Sequence, residues 1–395
     1  MQGRPPADDV TIVLLPFREQ RFTLTVMNTG SHESRRPTPT TTTRSDALHD
    51  ALERLDGYGY LDAPGFASHG PMGAETLSTL GHDDLVGAWV EDYKSRHRPL
   101  EVPPQRSRLD AADEQSWRQA LGDLGRVSDW AAMFRQELAE QPYPAVLQRW
   151  LARLLSGYAG GLTHGLIRVA HAVRALPVDG TPSDRLLGEV ADGLAFWAAT
   201  FTRLPGRPEL RGPLTLPAAI SRLPRPDPPW AMMEAGTFAR IDELNGFAAA
   251  VEALGPPESS LDALSEISAS FCAVVLAHPD VPALPLVHTV TPAAALRTLQ
   301  AYLPDLSIQA AYAQLWHVGA AIVSAFTAGS APPRTAPVKE AAETLAPAEV
   351  VGRAVEHRDT HALKFVEACT REHATRPDPV YLLAAQQVIE QLPPW

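Results

Sequence analysis

The sequence predicts an all-α protein with a single compact multi-helical domain. Three observations support this fold class. From residue 45 onward, apolar residues recur at helical spacing in one run after another. No alternation of strands with helices and no strand-like period of two follows residue 43, and no fixed repeat length indicates a solenoid. The 37 prolines fall largely between the runs, where we expect them to end helices and stiffen loops without entering helix interiors.

The predicted helices follow one another along the chain from residue 45. Ser45 caps the first, which carries Leu48, Leu52 and Leu55 on one face and ends at Gly57. The second spans residues 71–80 and the third residues 83–97, with an apolar face on the third. Further amphipathic runs predict helices over residues 128–140, 144–176, 183–201, 237–254, 260–277, 292–303, 306–326, 348–355, 359–374 and 379–392.

Residues 1–44 are predicted to form a flexible N-terminal extension, and residues 45–395 to form the helical domain. Residues 28–43 contain serine, arginine, proline and a run of four threonines, with almost nothing to bury. Residues 11–15 and 22–26 are typical of two short strands. The extension is therefore expected to be disordered or to form short strands.

Composition restricts the class of protein. With 395 residues, of which 45% are hydrophobic and 20% charged, the chain can bury a large core. A net charge of -12 and a pI near 5.5 exclude a general nucleic-acid binder, which needs a basic face, and fit a cytoplasmic protein. No run is apolar enough to predict a membrane span. Two cysteines, Cys272 and Cys369, exclude a disulfide framework and are expected to be buried thiols.

Five histidines lie in short apolar or glycine-bearing settings instead of on a charged surface: His69, His164, His171, His288 and His361. Lys364 follows the last of them by about one helical turn. They belong to no local motif such as HExxH. Together they are typical of a buried metal site assembled from four distant stretches of sequence, although each alone is as well explained as a helix cap or a core side chain.

Local spacing suggests how two of these stretches are arranged. His69 precedes a helix that starts at Pro71. His164, Arg168 and His171 share one face of a helix because they stand at i, i+4 and i+7. Residues seven apart are separated by about 10.5 Å along the axis, so His164 is the predicted ligand, with His171 an alternate ligand or a neighbour of the site.

The other two stretches add a buried histidine and a lysine. His288 lies among apolar residues just before a predicted helix start at Pro292, and a buried imidazole needs a partner for each ring nitrogen. Asp359 is expected to cap a helix that places His361 and Lys364 on one face. Lys364 would ordinarily extend to water, but a desolvated neutral amine could take up carbon dioxide and offer a carbamate oxygen to a metal.

These segments together resemble the questin oxidase-like family. The resemblance rests on the segments His69-Gly70-Pro71-Met72, His164-Gly165-Leu166-Ile167-Arg168 with His171, Val287-His288 with Thr291, and His361-Ala362-Leu363-Lys364-Phe365. It extends from about residue 45 to the C-terminus. Members of this family open an aromatic or quinone ring of polyketide intermediates by Baeyer–Villiger-type oxidation, and one is a non-haem iron dioxygenase with histidine ligands and a carboxylated lysine.

The resemblance implies an oxidoreductase that uses O2 and non-haem Fe(II) to cleave or oxygenate an aromatic polyketide-type substrate. On the positions of this sequence it implies His69, His164, His288 and His361 as metal ligands, with Lys364 as the candidate carbamate. Arg168 and His171 are the candidate catalytic residues, Arg168 as the partner of a phenolate or carboxylate. Because the chain has no GxGxxG motif, NADPH is expected only as an external reductant. Nucleic acid and membrane are not expected as partners.

Two other functions remain open from the residues. A metal-dependent hydrolase would use the same histidines and lysine to activate water, and tightly held zinc would favour it. A non-catalytic helical protein could hold an apolar ligand in the same cavity, with purely structural histidines. His317, inside an apolar helix, is either an extra ligand or, as we expect, a core histidine with a satisfied hydrogen bond.

Overall fold

The computed structural model of the protein describes residues 44–63, 65–230, 237–303, 308–328, 345–393 and 395. Within them the chain forms α-helices joined by turns, short 3-10 segments and one small hairpin. The helices are α1 (Arg44–Arg54), α2 (Gly70–Thr79), α3 (Asp83–Arg96), α4 (Glu114–Ala120), α5 (Val127–Glu140), α6 (Tyr143–Leu154), α7 (His164–Ala175), α8 (Asp184–Ala199), α9 (Leu216–Ser221), α10 (Phe247–Glu252), α11 (Ala263–Ala277), α12 (Ala283–Leu299), α13 (Ile308–Phe326), α14 (Pro347–His357), α15 (Thr360–Thr375) and α16 (Pro379–Gln391).

The predicted all-α fold class is confirmed. Strands among the described residues are limited to β1 (Leu61–Asp62) and β2 (Phe66–Ala67), which pair antiparallel in the turn between α1 and α2. No helix in the described part of the chain is long and apolar enough to cross a membrane. The predicted extension over residues 1–44 lies, apart from Arg44, outside the described residues.

Helices α7 and α12 occupy the middle of the packing. Helix α7 contacts α8, α2 and α12, and α12 in turn contacts α11, α13 and α15. Both are buried over most of their length, including polar residues such as His164 and His288. Helix α2 contacts α7 and α15, which both contact α12, so side chains far apart in sequence meet between these four helices.

The single helix predicted over residues 144–176 is wrong. The chain instead forms α6, two short 3-10 segments, and α7. The break has a clear backbone cause, since Gly161, Leu162 and Thr163 all have positive φ values of 57°, 49° and 67°. Non-glycine residues avoid this left-handed conformation, so the interruption is strained and the run of apolar residues gave no sign of it.

The helix start predicted at Pro292 is also wrong, because α12 begins at Ala283 and contains Pro292 in its interior. Proline was expected to stay outside helices. A proline has no N–H to donate to the carbonyl four residues earlier, which here belongs to His288. The backbone carbonyl that lacks its helical hydrogen bond therefore belongs to a histidine of the predicted metal site.

The other boundaries agree with prediction within a few residues, with three exceptions. The helix predicted over residues 237–254 is a 3-10 segment, Thr237–Glu243, followed by the short helix α10. Helices α4 and α9 were not predicted. They have seven and six residues, too few to give a reliable periodic signal.

The turn before α7 lies against the end of α8 with no room for a side chain. A Cβ on Gly160 would stand 1.4 Å from the backbone oxygen of Thr200. A backbone atom cannot move aside as a side chain does, so this position needs glycine.

We therefore predict that Gly160→Ala lowers the free energy of unfolding by about 1–3 kcal/mol, as measured by urea denaturation. Gly188→Ala is the matched control, because a Cβ at this position in α8 meets nothing within 4 Å. It should stabilise the protein by about 1 kcal/mol, the ordinary helix preference for alanine. Equal effects from the two substitutions would contradict the packing described here.

Candidate metal centre

Four of the predicted ligands meet between α2, α7, α12 and α15. His69 is the residue that precedes α2, His164 is the first residue of α7, and His361 lies in the first turn of α15. His288 lies inside α12. The ring centroids of His69 and His164 are 4.6 Å apart, those of His69 and His361 4.5 Å, and those of His164 and His288 4.4 Å.

Three of these rings offer nitrogen atoms at spacing suitable for a shared metal ion. One nitrogen from each of His69, His164 and His361 lies within 4.8 Å of the others. The closest pair is His69 Nε2 and His164 Nε2, at 2.8 Å. Two ring nitrogens at that distance must share either a proton or a cation, because two lone pairs facing each other repel.

The tautomer of His164 is set by the strained turn before it. His164 Nδ1 lies 2.7 Å from the carbonyl oxygen of Gly161, which can only accept a hydrogen bond. Nδ1 therefore carries the proton and Nε2 presents a lone pair toward His69. A backbone carbonyl on the distal nitrogen is the usual way in which a protein orients a metal-binding histidine.

The same turn holds His288. Thr163 Oγ1 is 3.2 Å from His288 Nδ1, so this hydroxyl oxygen can accept a hydrogen bond from the Nδ1–H group. His288 Nε2 is buried and has no hydrogen-bond partner among the described residues. A buried imidazole nitrogen without a partner is costly, and a metal ion is one group that would satisfy it.

His361 is fixed by the residue that caps its helix. Asp359 Oδ1 accepts hydrogen bonds from the backbone N–H groups of His361 and Ala362, at 2.8 and 3.3 Å, and lies 3.5 Å from His361 Nδ1. Burial alone would raise the pKa of Asp359, but its contacts with His361 lower that pKa to about 2. The anionic carboxylate of Asp359 thus attracts His361 Nδ1, and the other ring nitrogen of His361 faces the cluster.

Lys364 is the fifth member of the group. Its side chain is only 2% exposed, and its Nζ has no hydrogen-bond partner in the described part of the chain. Burial lowers the pKa of Lys364 to about 7, although Asp359 opposes the change. The side chain of Lys364 therefore does not extend to solvent as a lysine ordinarily does. A large fraction of its amine is neutral near pH 7.

All four histidines are held neutral as well. Burial is the main cause that lowers the pKa of His69, His164 and His288 well below the usual value, and the charge of Lys364 lowers them further. Burial also lowers the pKa of His361, against the opposing effect of Asp359. Neutral imidazoles and a neutral amine are the forms that bind a metal, so these residues fit the metal that the sequence predicts.

The two residues predicted to be catalytic, both on α7, bind carboxylates. Arg168 donates to both carboxylate oxygens of Glu189, at 2.7 and 3.0 Å, and to the carbonyl oxygen of Gly59 at 3.3 Å. His171 Nδ1 lies 2.6 Å from Glu75 Oε2, and Arg174 binds the same carboxylate. Helix α7 thus places His164 and His171 in different surroundings, and the catalytic roles of Arg168 and His171 stay predictions.

Sequence reasoning missed most of the residues that hold the cluster. Tyr93 Oη accepts a hydrogen bond from the backbone N–H of His69 at 2.8 Å and donates to Asp62. Gly161 and Thr163 act through a backbone oxygen and a hydroxyl, which carry no pattern in sequence. Glu75 could have been found, because it is an acid inside the apolar run of α2 and needs a buried partner.

The two cysteines and His317 lie where the sequence predicts. Cys272 and Cys369 are both buried free thiols, as predicted, with their Sγ atoms 3.9 Å apart. His317 Nε2 donates to the carbonyl oxygen of Pro205 at 2.8 Å, which confirms it as a core histidine with a satisfied hydrogen bond.

Residues 77–200 match the model of the questin oxidase-like family. The match confirms the resemblance over this segment, which contains His164, Arg168 and His171. His69, His288, His361 and Lys364 lie outside it. No curated protein matches the chain. The questin oxidase-like match indicates an oxidoreductase that acts on a polyketide-type substrate.

The buried lysine generates a prediction for the protein treated with chelator. Unfolded Lys364 has a pKa near 10.5 and the folded residue one near 7, so between these pH values the unfolded state binds more protons. Stability should therefore rise as the pH increases from 7 to 10.5, and Lys364→Met should stabilise the metal-free protein by up to about 4 kcal/mol at pH 7.

The measurement is urea unfolding of both proteins at several pH values from 6 to 10.5. The difference in the free energy of unfolding between wild type and Lys364→Met should shrink as the pH rises above 7. Below pH 7 it should be constant, because Lys364 is then charged in both the folded and the unfolded state. Lys94→Met is a control, because Lys94 is on the outer side of α3 and only half-buried. A constant gap across the whole range would show that Lys364 is not a buried neutral amine.

Proposed function

We propose that this protein is a non-haem iron oxygenase that uses O2 to cleave or oxygenate an aromatic, quinone-like polyketide. In this proposal His69, His164, His288 and His361 hold Fe(II), and Lys364 either binds it directly or binds it as a carbamate. The observation that carries the proposal is the convergence of neutral, buried nitrogen atoms, two of which, His288 Nε2 and Lys364 Nζ, have no other partner in the described residues.

The chemistry of the donors fits iron(II) and argues against a purely structural zinc site. Imidazole nitrogen and carbamate oxygen suit iron(II), whereas the zinc sites that only stabilise a fold usually have cysteine ligands. The two cysteines are free thiols that contact each other between α11 and α15. Bound in this site, iron(II) would supply the means to activate dioxygen, which does not otherwise react readily with a closed-shell aromatic compound.

A cleft whose wall contains residues next to His69 in sequence offers room for the substrate, although none of the four histidines and not Lys364 lines it. Its volume is about 840 Å³, within the range of small-molecule pockets. Its walls include Leu55, Tyr58, Tyr60, Ser68, Pro71 and Arg168. Ser68 and Pro71 flank His69, and Arg168 lies one turn after His164, so the cleft reaches the two elements that carry the closest pair of histidines.

The residues of the cleft would orient a flat phenolic substrate. Tyr58 and Tyr60 provide aromatic surface, and the Arg168 guanidinium lies 5.6 Å from the Tyr60 ring. Arg168 is held in place by its ion pair with Glu189, and the guanidinium N–H groups not used there could donate to a phenolate or carboxylate oxygen at the cleft wall. His69, His164 and His288 are buried, which keeps bulk water away from the reacting region.

Metal content tests the proposal first. We expect near-stoichiometric iron in protein purified without chelator, and less iron in His288→Ala and in Lys364→Ala. His317→Gln is the matched control, because His317 is equally buried but bonds to Pro205 outside the cluster. Elemental analysis of folded protein measures this, with circular dichroism to verify the fold of each variant.

Oxygen consumption then tests the reaction class. Iron-loaded wild-type protein should consume O2 when supplied with hydroxylated anthraquinones, with NADPH present or absent, and the four histidine-to-alanine variants should not. Folded wild type without metal would overturn the proposal, as would tightly bound zinc with no oxygen uptake. The second result would favour hydrolysis.

A further inference from the structure

A stack of aromatic side chains connects the histidine cluster to the protein surface. Tyr93 and Trp89 of α3 stack with ring centroids 5.4 Å apart and planes 24° from parallel. Trp89 stacks in turn on Trp395, again at 5.4 Å and 16° from parallel. Tyr93 and Trp89 are buried, whereas Trp395 is partly exposed.

The inner end of this stack is bonded to the cluster itself. Tyr93 Oη accepts a hydrogen bond from the backbone N–H of His69 at 2.8 Å, so the phenol is joined to the imidazole through the Cα and Cβ of one residue. The outer end is also tied to the site. Trp395 Nε1 donates to Asp359 Oδ2 at 3.1 Å, and the other oxygen of Asp359 accepts from His361.

A glycine in helix α2 lets the aromatic stack pack close to His69. A Cβ on Gly73 would stand 2.1 Å from the Trp89 ring, so a side chain at this position would push the indole away. With glycine there, the ring lies directly on the helix that His69 starts.

Tyr93 also has a base placed to receive its proton. Its hydroxyl donates a hydrogen bond to Asp62 Oδ2, and Asp62 is buried. Asp62 Oδ1 has no hydrogen-bond partner in the described residues. A buried carboxylate with a free oxygen is costly to keep, and structural packing of Tyr93 alone would not require it.

We propose that Tyr93, Trp89 and Trp395 form a route for single electrons from the surface to the histidine cluster, with Asp62 as the proton acceptor. The inference rests on the proposed function for its natural oxidant, a one-electron oxidant formed from O2 at the cluster when no substrate is bound. Tyr93 gives up one electron to this oxidant and its hydroxyl proton to Asp62.

The remaining steps restore the protein. An electron passes from Trp89 to the tyrosyl radical, which recovers its proton from Asp62, and Trp395 passes an electron to Trp89. A small reductant, such as ascorbate or a thiol, supplies the last electron to Trp395 at the surface. The route thus consumes an oxidising equivalent that would otherwise attack the histidines.

The test uses an external oxidant, so it does not depend on a metal. A photogenerated ruthenium(III) tris-bipyridine complex is mixed with the full-length protein as purified and, separately, after chelation, and radicals are trapped by freezing for electron paramagnetic resonance. We expect a neutral tyrosyl signal in wild type, most of which is lost in Tyr93→Phe and in Trp395→Phe, leaving the smaller signal of the partly exposed tyrosines. Tyr143→Phe is the control, because Tyr143 packs on Tyr302 away from the stack.

The outcomes separate this inference from the proposed function. A signal unchanged by Tyr93→Phe, or by Trp395→Phe, would overturn the route, even in a protein that consumes O2 with iron. A signal lost in both variants would support the route, even in a protein that binds no iron. Trp395→Phe keeps an aromatic ring in the packing and is expected to fold. If Tyr93→Phe does not fold, Trp395→Phe alone still tests the route.

Discussion

The structure around the site depends on keeping four imidazoles and one amine uncharged in a small buried volume. Two positive charges about 4 Å apart would repel by about 4 kcal/mol in surroundings of intermediate polarity, and the cluster contains more than two bases. Burial solves this by lowering every pKa, at the cost of stability. A protein that retains such a group of bases gains a site for a cation, and this is the physical reason for reading the cluster as a metal centre.

The backbone is distorted where it serves these bases. The left-handed turn at Gly161, Leu162 and Thr163 supplies a carbonyl to His164 and a hydroxyl to His288. Pro292 leaves the carbonyl of His288 without its helical donor. Two departures from regular structure thus fall beside two of the histidines, where strain is most often retained for function.

A separate set of buried ion pairs holds the surrounding helices together. Glu75 of α2 binds His171 and Arg174 of α7, and Arg174 also binds Glu367 of α15. Arg297 of α12 binds Glu372 of α15 with two hydrogen bonds. Since these pairs connect the same four helices that carry the cluster, they fix the spacing of the histidines, and their carboxylates bind groups outside the cluster.

The sequence predicted the helices and the residues of the cluster better than it predicted their surroundings. Periodic apolar residues gave most helix boundaries, and histidines in apolar settings identified His69, His288 and His361, because burial of a base is visible in local composition. The turn before His164 and the helix around Pro292 were missed, since local preference opposes both and only packing by distant helices maintains them. The partners of the cluster were missed for a similar reason: a backbone oxygen at Gly161 or a phenol at Tyr93 gains its role only when the chain folds.

If His69, His164, His288 and His361 hold one metal ion, anomalous X-ray scattering from crystals grown without chelator will locate it. Data collected on both sides of the iron edge should show one strong peak between the four rings, within bonding distance of His164 Nε2 and His288 Nε2. The absence of a peak there in well-ordered crystals, or a peak at another position, would show that these histidines do not hold a metal ion together.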